Sequence, residues 1–133
     1  MVERRSRTTK GIVVCIDGDS RVCERIADAL EVHGYHVLAI ENPWEGVELV
    51  RLRRPDAVVV ASDPEDNASG LRGTLTQYLP AHAALILCGR ESVPDGHTAC
   101  ARNNGSRVMR VHRSLGADGL RRLLDQAVEK RRR

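Results

Sequence analysis

The stretch that decides the fold is Gly11–Ile16 (GIVVCI), which leads directly into the acidic turn Asp17-Gly18-Asp19. This short run, rich in β-branched residues, predicts a buried strand followed by a turn. From Ser20 to Gly34 the apolar residues recur at helical spacing, and Asp19 or Ser20 is placed to cap a helix. The stretch therefore predicts a strand, a turn and a helix in succession.

The same alternation continues along the chain. Four further apolar runs predict strands at Tyr35–Ile40, Asp56–Ala61, Ala83–Cys88 and Arg107–Val111. Runs that are apolar on both faces are typical of a parallel sheet covered by helices on each side. The arginine inside the last run favours a position nearer the sheet edge, and a short helix is predicted before it, centred on Thr98 to Arg102. We therefore expect a doubly wound α/β sheet, with ligands or partners at the carboxyl ends of its strands.

Length and composition limit the classes of function. The 133 residues suit one domain, which must have an aliphatic core because the only aromatic residues are Trp44, Tyr35 and Tyr78. This scarcity argues against an aromatic platform for single-stranded nucleic acid. No apolar run approaches the roughly 20 residues of a membrane span, and the charged start carries no apolar signal segment. We expect a soluble, cytoplasmic protein.

Charge is concentrated at the two ends of the chain, although the net charge is only +3. Residues 1–10, with four basic groups and one acid, are predicted to be a flexible basic arm. The predicted domain spans 11–129, and a basic tail follows it. That tail consists of Lys130, Arg131, Arg132 and Arg133. It is a candidate contact for nucleic acid, an anionic surface or an acidic partner.

The four cysteines are Cys15, Cys23, Cys88 and Cys100, and they form no CxxC pair. A disulfide framework is not expected in a chain without an export signal. Cys15 and Cys88 lie in apolar runs, where a thiol acts as a small core residue. A structural role is therefore predicted for all four.

The junction Val13–Ser20 (VVCIDGDS) and the pattern Pro55–Val60 (PDAVVV) resemble the receiver domain of bacterial two-component response regulators. The resemblance covers roughly residues 11–130. It implies a flavodoxin-like (βα)5 fold with a five-stranded parallel sheet in the order 2-1-3-4-5. It also implies a phosphoryl-transfer site, in which two acids after the first strand hold Mg²⁺ and an aspartate ending the third strand is the nucleophile. A Thr or Ser ending the fourth strand and a Lys ending the fifth contact the phosphoryl oxygens.

This chain departs from that pattern at several positions. Asp17 matches the first acid, but Gly18 occupies the adjacent acidic position and Asp19 is displaced by one. The nucleophile position falls on Ala61, or on Ser62 when it is counted back from Gly70-Leu71. Cys88 stands in the position of the hydroxyl residue, and His112 stands in that of the lysine. The resemblance therefore implies a degenerate receiver, or pseudo-receiver, with no catalytic residues.

Asp63 offers an alternative phosphoacceptor if the third strand extends by two residues, which Pro64 opposes. Asp17, Asp19 and Asp63 are weak metal candidates, and Mg²⁺ is expected only if Asp17 and Asp63 converge. No other cofactor is predicted.

The sequence thus predicts a non-catalytic signalling module that acts by protein–protein interaction. By resemblance, its partner is another signalling protein or a second copy of itself. The predicted contact is the face formed by the fourth and fifth strands and the last helix, about Leu85 to Val128, with Leu115 and Leu120 as possible anchors. Two alternatives stay open: the receiver part of a transcription regulator or a nucleic-acid binder acting through its basic tail, and a receiver phosphorylated at Asp63.

Overall fold

The computed structural model describes residues 10–17, 19–60, 73–89, 98–103, 106–112 and 116–132. Six strands are present in this part of the chain: β1 (Gly11–Ile16), β2 (Tyr35–Ile40), β3 (Ala57–Val60), β4 (Ala84–Gly89), β5 (Thr98–Asn103) and β6 (Ser106–His112). The helices are α1 (Ser20–Val32), α2 (Pro43–Arg53), α3 (described over 73–78) and α4 (Gly116–Arg132). No helix among the described residues combines the length and apolarity needed to cross a bilayer.

One sheet contains all six strands, in the order β2-β1-β3-β4-β6-β5. The first five strands in this order are mutually parallel, and they correspond to the five predicted from the apolar runs. The predicted parallel order is therefore confirmed, with β6 as the fifth strand of the parallel set.

Two details of the prediction are wrong. The short helix expected around Thr98 to Arg102 is instead the strand β5, which runs antiparallel to β6. Because β5 occupies the end of the sheet, Arg107–Val111 lies between two strands and not at the edge. The pairing of Asn103 with Ser106 leaves Asn104 and Gly105 between the strands, a dipeptide typical of two-residue hairpin connections.

Alternate side chains of the central strand β1 enter two separate apolar layers. Val13 and Cys15 pack in the layer that contains α1 and α4, whereas Val14 and Ile16 pack in the layer that contains α2 and α3. All four side chains are fully buried. Since both faces are covered, the strand carries no polar alternation.

Asp125 connects α4 to the amino-terminal end of the sheet. Its carboxylate accepts hydrogen bonds from the Tyr35 hydroxyl (2.6 Å), the Lys10 ammonium (3.4 Å) and Arg121 Nη1 (3.0 Å). Burial acts to raise the pKa of Asp125, but the hydrogen bond from Tyr35 and the charge of Lys10 outweigh it and hold the pKa below its ordinary value. The ionised carboxylate therefore stabilises the folded state.

Gly46 on α2 lies directly against β1. An added Cβ would clash with the fully buried Ile16 side chain, including an approach of 2.8 Å to its Cγ1. We expect Gly46→Ala to lower the free energy of unfolding by about 2 kcal/mol, because a packed core cannot yield space for the methyl group. The matched control is Gly73→Ala in α3, where nothing lies within 4 Å of the added Cβ. Urea denaturation of both variants checks this, and equal effects would contradict the packing described.

The Asp125 contacts predict a specific pH dependence. Because its pKa is depressed in the folded protein, the stabilisation is complete above the ordinary value of 3.8 and is lost as pH falls through the lower, folded pKa. We expect Asp125→Asn to cost about 1–2 kcal/mol at pH 7 and progressively less in acid. Asp118→Asn, which removes exposed ion pairs on the same helix, should have a smaller effect. Urea titrations at several pH values measure both, and a pH-independent loss in Asp125→Asn would argue against this assignment.

Candidate functional site

The candidate site is the carboxyl-terminal end of the parallel strands. Asp17 follows β1, and Cys88 lies one residue before the end of β4. His112 ends β6 and is paired with Gly89 of β4. The fold therefore brings these predicted positions to one end of the sheet. The side chain of His112 and all of Gly18, Ala61, Ser62 and Asp63 lie outside the described part of the structure.

Asp17 is a buried carboxylate, with only 4% of the residue exposed. Its backbone N–H donates to the carbonyl of Ile40 (3.1 Å), which holds it beside β2. Its Oδ1 accepts a hydrogen bond from the N–H of Asp19 (2.8 Å). Its Oδ2 is buried and has no hydrogen-bond partner within the described residues. Such an oxygen retains its capacity to bind a cation or a donor, at a cost in stability when none is bound.

Asp19 differs from Asp17 in its structural role. It is the N-cap of α1, and its Oδ1 accepts a hydrogen bond from the N–H of Arg21 (2.9 Å). The side chain is exposed and also lies 3.7 Å from Arg21 Nε. Of the two capping residues predicted, Asp19 is therefore the one that caps the helix. Its carboxylate serves the helix terminus, where negative charge is favourable.

These residues do not fit the Mg²⁺ implied by the receiver resemblance. Mg²⁺ requires an octahedral set of oxygens and is bound in proteins by carboxylates together with phosphate oxygens. Among the described residues, Asp17 Oδ2 is a single carboxylate oxygen without a hydrogen-bond partner, and the second acid, Asp19, caps a helix. Across the described ranges, no group of three His, Cys, Asp or Glu side chains could hold a metal. Convergence of Asp17 with Asp63 stays a prediction.

Three thiols lie beneath this end of the sheet. Cys15, Cys23 and Cys88 are all buried in the layer formed with α1 and α4. The Sγ atoms of Cys15 and Cys23 are 3.8 Å apart, and Cys23 Sγ also lies 3.7 Å from the carbonyl oxygen of Asp17. The sequence analysis missed this pair. An inward-facing strand position followed by an inward-facing position early in the next helix is the signal that could have revealed it.

Substitutions of Asp17 and Asp19 should have opposite effects on the free energy of unfolding. We expect Asp17→Asn to raise the free energy of unfolding by about 1 kcal/mol, because it removes a buried charge with an unpaired oxygen and keeps the Oδ1 acceptor. Asp19→Ala should lower it by about 1 kcal/mol through loss of the helix cap. Thermal and urea denaturation with and without MgCl₂ measure these effects. A magnesium-dependent rise in the melting temperature of the parent chain that Asp17→Asn abolishes would overturn the poor fit to Mg²⁺.

No protein-family model matches the sequence, and no curated protein matches it significantly. Solved structures do resemble it. A receiver domain from Clostridium thermocellum is 20% identical with a TM-score of 0.67, covering 91% of this chain and 96% of that one. A CheY-like receiver domain from Methanospirillum hungatei JF-1 is 11% identical with a TM-score of 0.68, covering 91% and 95%. An atypical orphan response regulator, described as having a phosphorylation-independent regulatory mechanism, is 12% identical with a TM-score of 0.60, covering 89% and 95%. This chain has the fold of response-regulator receiver domains.

Proposed function

We propose that this chain is a signalling module that uses the receiver fold for protein–protein contact and does not transfer phosphoryl groups. The observation that supports this proposal most directly is that the two acids after β1 have different structural roles. Asp17 is buried and one of its oxygens has no hydrogen-bond partner in the described part of the chain, while Asp19 caps α1. A receiver crevice that works by phosphorylation needs both acids for its cation.

Phosphoryl acceptance also requires a nucleophile and compensating positive charge. A carboxylate must attack, and a hard cation must offset the charge of the phosphate. The residue that follows β3 in the sequence is Ala61, and Cys88 is a buried thiol, which is a weak hydrogen-bond donor. An isolated Asp17 carboxylate repels a phosphate. These features favour a crevice that does not accept a phosphoryl group.

A structural neighbour supports this combination of fold and function. The atypical orphan response regulator is described as phosphorylation-independent, and its fold matches 89% of this chain. That description belongs to the neighbour. For this chain it supports the proposal that a receiver fold acts without a phosphoryl mark.

We place the protein contact on α2, on the side away from the core. Trp44 is 56% exposed and Leu52 is 66% exposed, and the groove between them is also lined by Ile40 and Leu49. Glu41 and Glu45 are exposed beside this groove, and Glu48, which also lines it, is paired with Arg51 (2.8 Å). Apolar side chains flanked by acids suit a partner segment in which an apolar side chain is flanked by Lys or Arg.

The face predicted from the sequence, about Leu85 to Val128, has fewer exposed apolar side chains for a partner among its described residues. The large exposed apolar residues of the described chain are Val32, Trp44, Leu52 and Tyr78, all outside that face. Leu120 is only 3% exposed and belongs to the core, and Leu115 lies outside the described residues. Since Trp44 is the only tryptophan of the chain, its fluorescence reports directly on cover of the α2 surface.

The inert crevice is tested by exposing the chain to acetyl phosphate with Mg²⁺, and separately to beryllofluoride with Mg²⁺. We expect no added phosphate in the intact mass and no change in melting temperature, because a binding ligand would stabilise the folded state. A receiver domain with both acids and the strand-terminal aspartate provides the positive control. A labile phosphate on this chain that is lost in Asp63→Asn would refute the proposal and establish Asp63 as phosphoacceptor.

A further inference from the structure

Cys15 and Cys23 are two neighbouring thiols that have no part in the crevice chemistry. We propose that they are a redox-active dithiol, which peroxide oxidises to an intramolecular disulfide between β1 and α1. The inference concerns the layer beneath the crevice. It holds whether or not the crevice accepts a phosphoryl group.

The first argument is proximity. The two Sγ atoms are 3.8 Å apart, with Cys15 donating a hydrogen bond to Cys23. One thiol belongs to the central strand and the other to the helix that packs on it. Both are buried, at 0% and 2% exposed, so peroxide reaches them when the start of α1 opens locally. A disulfide needs about 2.05 Å between the sulfurs, so the pair must close by less than the diameter of one atom.

The second argument is the unequal character of the two thiols. Cys23 lies in the first turns of α1, where the helix dipole favours negative charge. The hydrogen bond from Cys15 lowers the pKa of Cys23, against the opposing effects of burial and of the Asp17 and Glu41 carboxylates. The same hydrogen bond and burial raise the pKa of Cys15. The place of Cys23 near the amino-terminal end of α1 makes it the nucleophile, and Cys15, which donates its S–H to Cys23, retains its proton until the second step.

Two steps complete the oxidation, and hydrogen peroxide is the oxidant. The Cys23 thiolate attacks one peroxide oxygen, the O–O bond breaks, and the departing hydroxide takes a proton to leave as water. The sulfur of Cys15 then attacks the sulfenic sulfur of Cys23, the S–O bond breaks, and the hydroxyl leaves as a second water with the proton of Cys15. In sum, the two thiols lose two protons and two electrons, and one peroxide becomes two waters.

Oxidation would act on the edge of the candidate site. Cys23 Sγ lies 3.7 Å from the carbonyl oxygen of Asp17 and 4.0 Å from that of Ile40. A Cys23 sulfur drawn into a disulfide loses its S–H donor to both carbonyls. The start of α1 is then joined covalently to β1, and Asp17 lies inside the loop that the disulfide closes.

The test is intact mass and non-reducing peptide mapping of the full chain after treatment with excess hydrogen peroxide. We expect a loss of two hydrogens, a linked peptide containing Cys15 and Cys23, and reversal by dithiothreitol. The double variant Cys88→Ala/Cys100→Ala is the matched control and should oxidise as the parent does. Because it keeps both proposed thiols, its linked peptide tests the pairing even if variants at Cys15 fail to fold.

Cys23→Ala should slow the peroxide-dependent loss of free thiol at Cys15 by at least about tenfold, since it removes the nucleophile. Oxidised parent chain should also unfold at higher urea concentration than reduced chain, because a short loop has been closed. The proposal is overturned if Cys15 and Cys23 remain free thiols after peroxide treatment, whether or not oxygen adds to Cys88 or Cys100. It is also overturned if Cys23→Ala leaves the oxidation of Cys15 unchanged.

Discussion

The burial of β1 on both of its faces is the constraint on which the rest of the structure depends. Val13 and Cys15 enter one apolar layer and Val14 and Ile16 enter the other, so two pairs of helices must cover the sheet. Parallel strands with covered faces end together at one edge. The position of Asp17 at that edge, immediately after β1, follows from this arrangement. Asp17 is buried there, between the carbonyl of Ile40, to which its N–H donates, and the N–H of Asp19, from which its Oδ1 accepts.

The same junction explains the poor fit of Asp17 and Asp19 to Mg²⁺. A turn that leads straight into a helix needs a capping side chain, and Asp19 supplies it. Asp17 then receives one hydrogen bond from the backbone of Asp19, and its second oxygen stays unpaired in the described part of the protein. Local helix formation thus competes with metal binding for the same short acidic segment. In this chain Asp19 caps the helix, and the proposed function rests on that role.

The proposed partner contact on α2 and the proposed disulfide of Cys15 and Cys23 both lie near this junction. Asn42 caps α2 shortly after the end of β2. The exposed Trp44, in the first turn of α2, therefore lies close to the carboxyl end of the sheet. Cys23 lies under the turn that carries Asp17. A partner bound on α2 and a disulfide formed at Cys23 would therefore both act near the crevice, through packing and not through phosphate.

Patterns of local chemistry in the sequence were sufficient to predict the five parallel strands and the start of α1, and the resemblance to receiver domains supplied the strand order. Apolar runs and capping residues act over a few neighbours, and their signals are readable in the chain. The strand β5 was not readable, because its segment TACARN has weak strand preference and gains its conformation by pairing with β6. The unpaired oxygen of Asp17, the contact between Cys15 and Cys23, and the exposure of Trp44 depend on which elements pack together. Those outcomes required the folded arrangement, since distances between residues on different elements are set by packing and not by spacing along the chain.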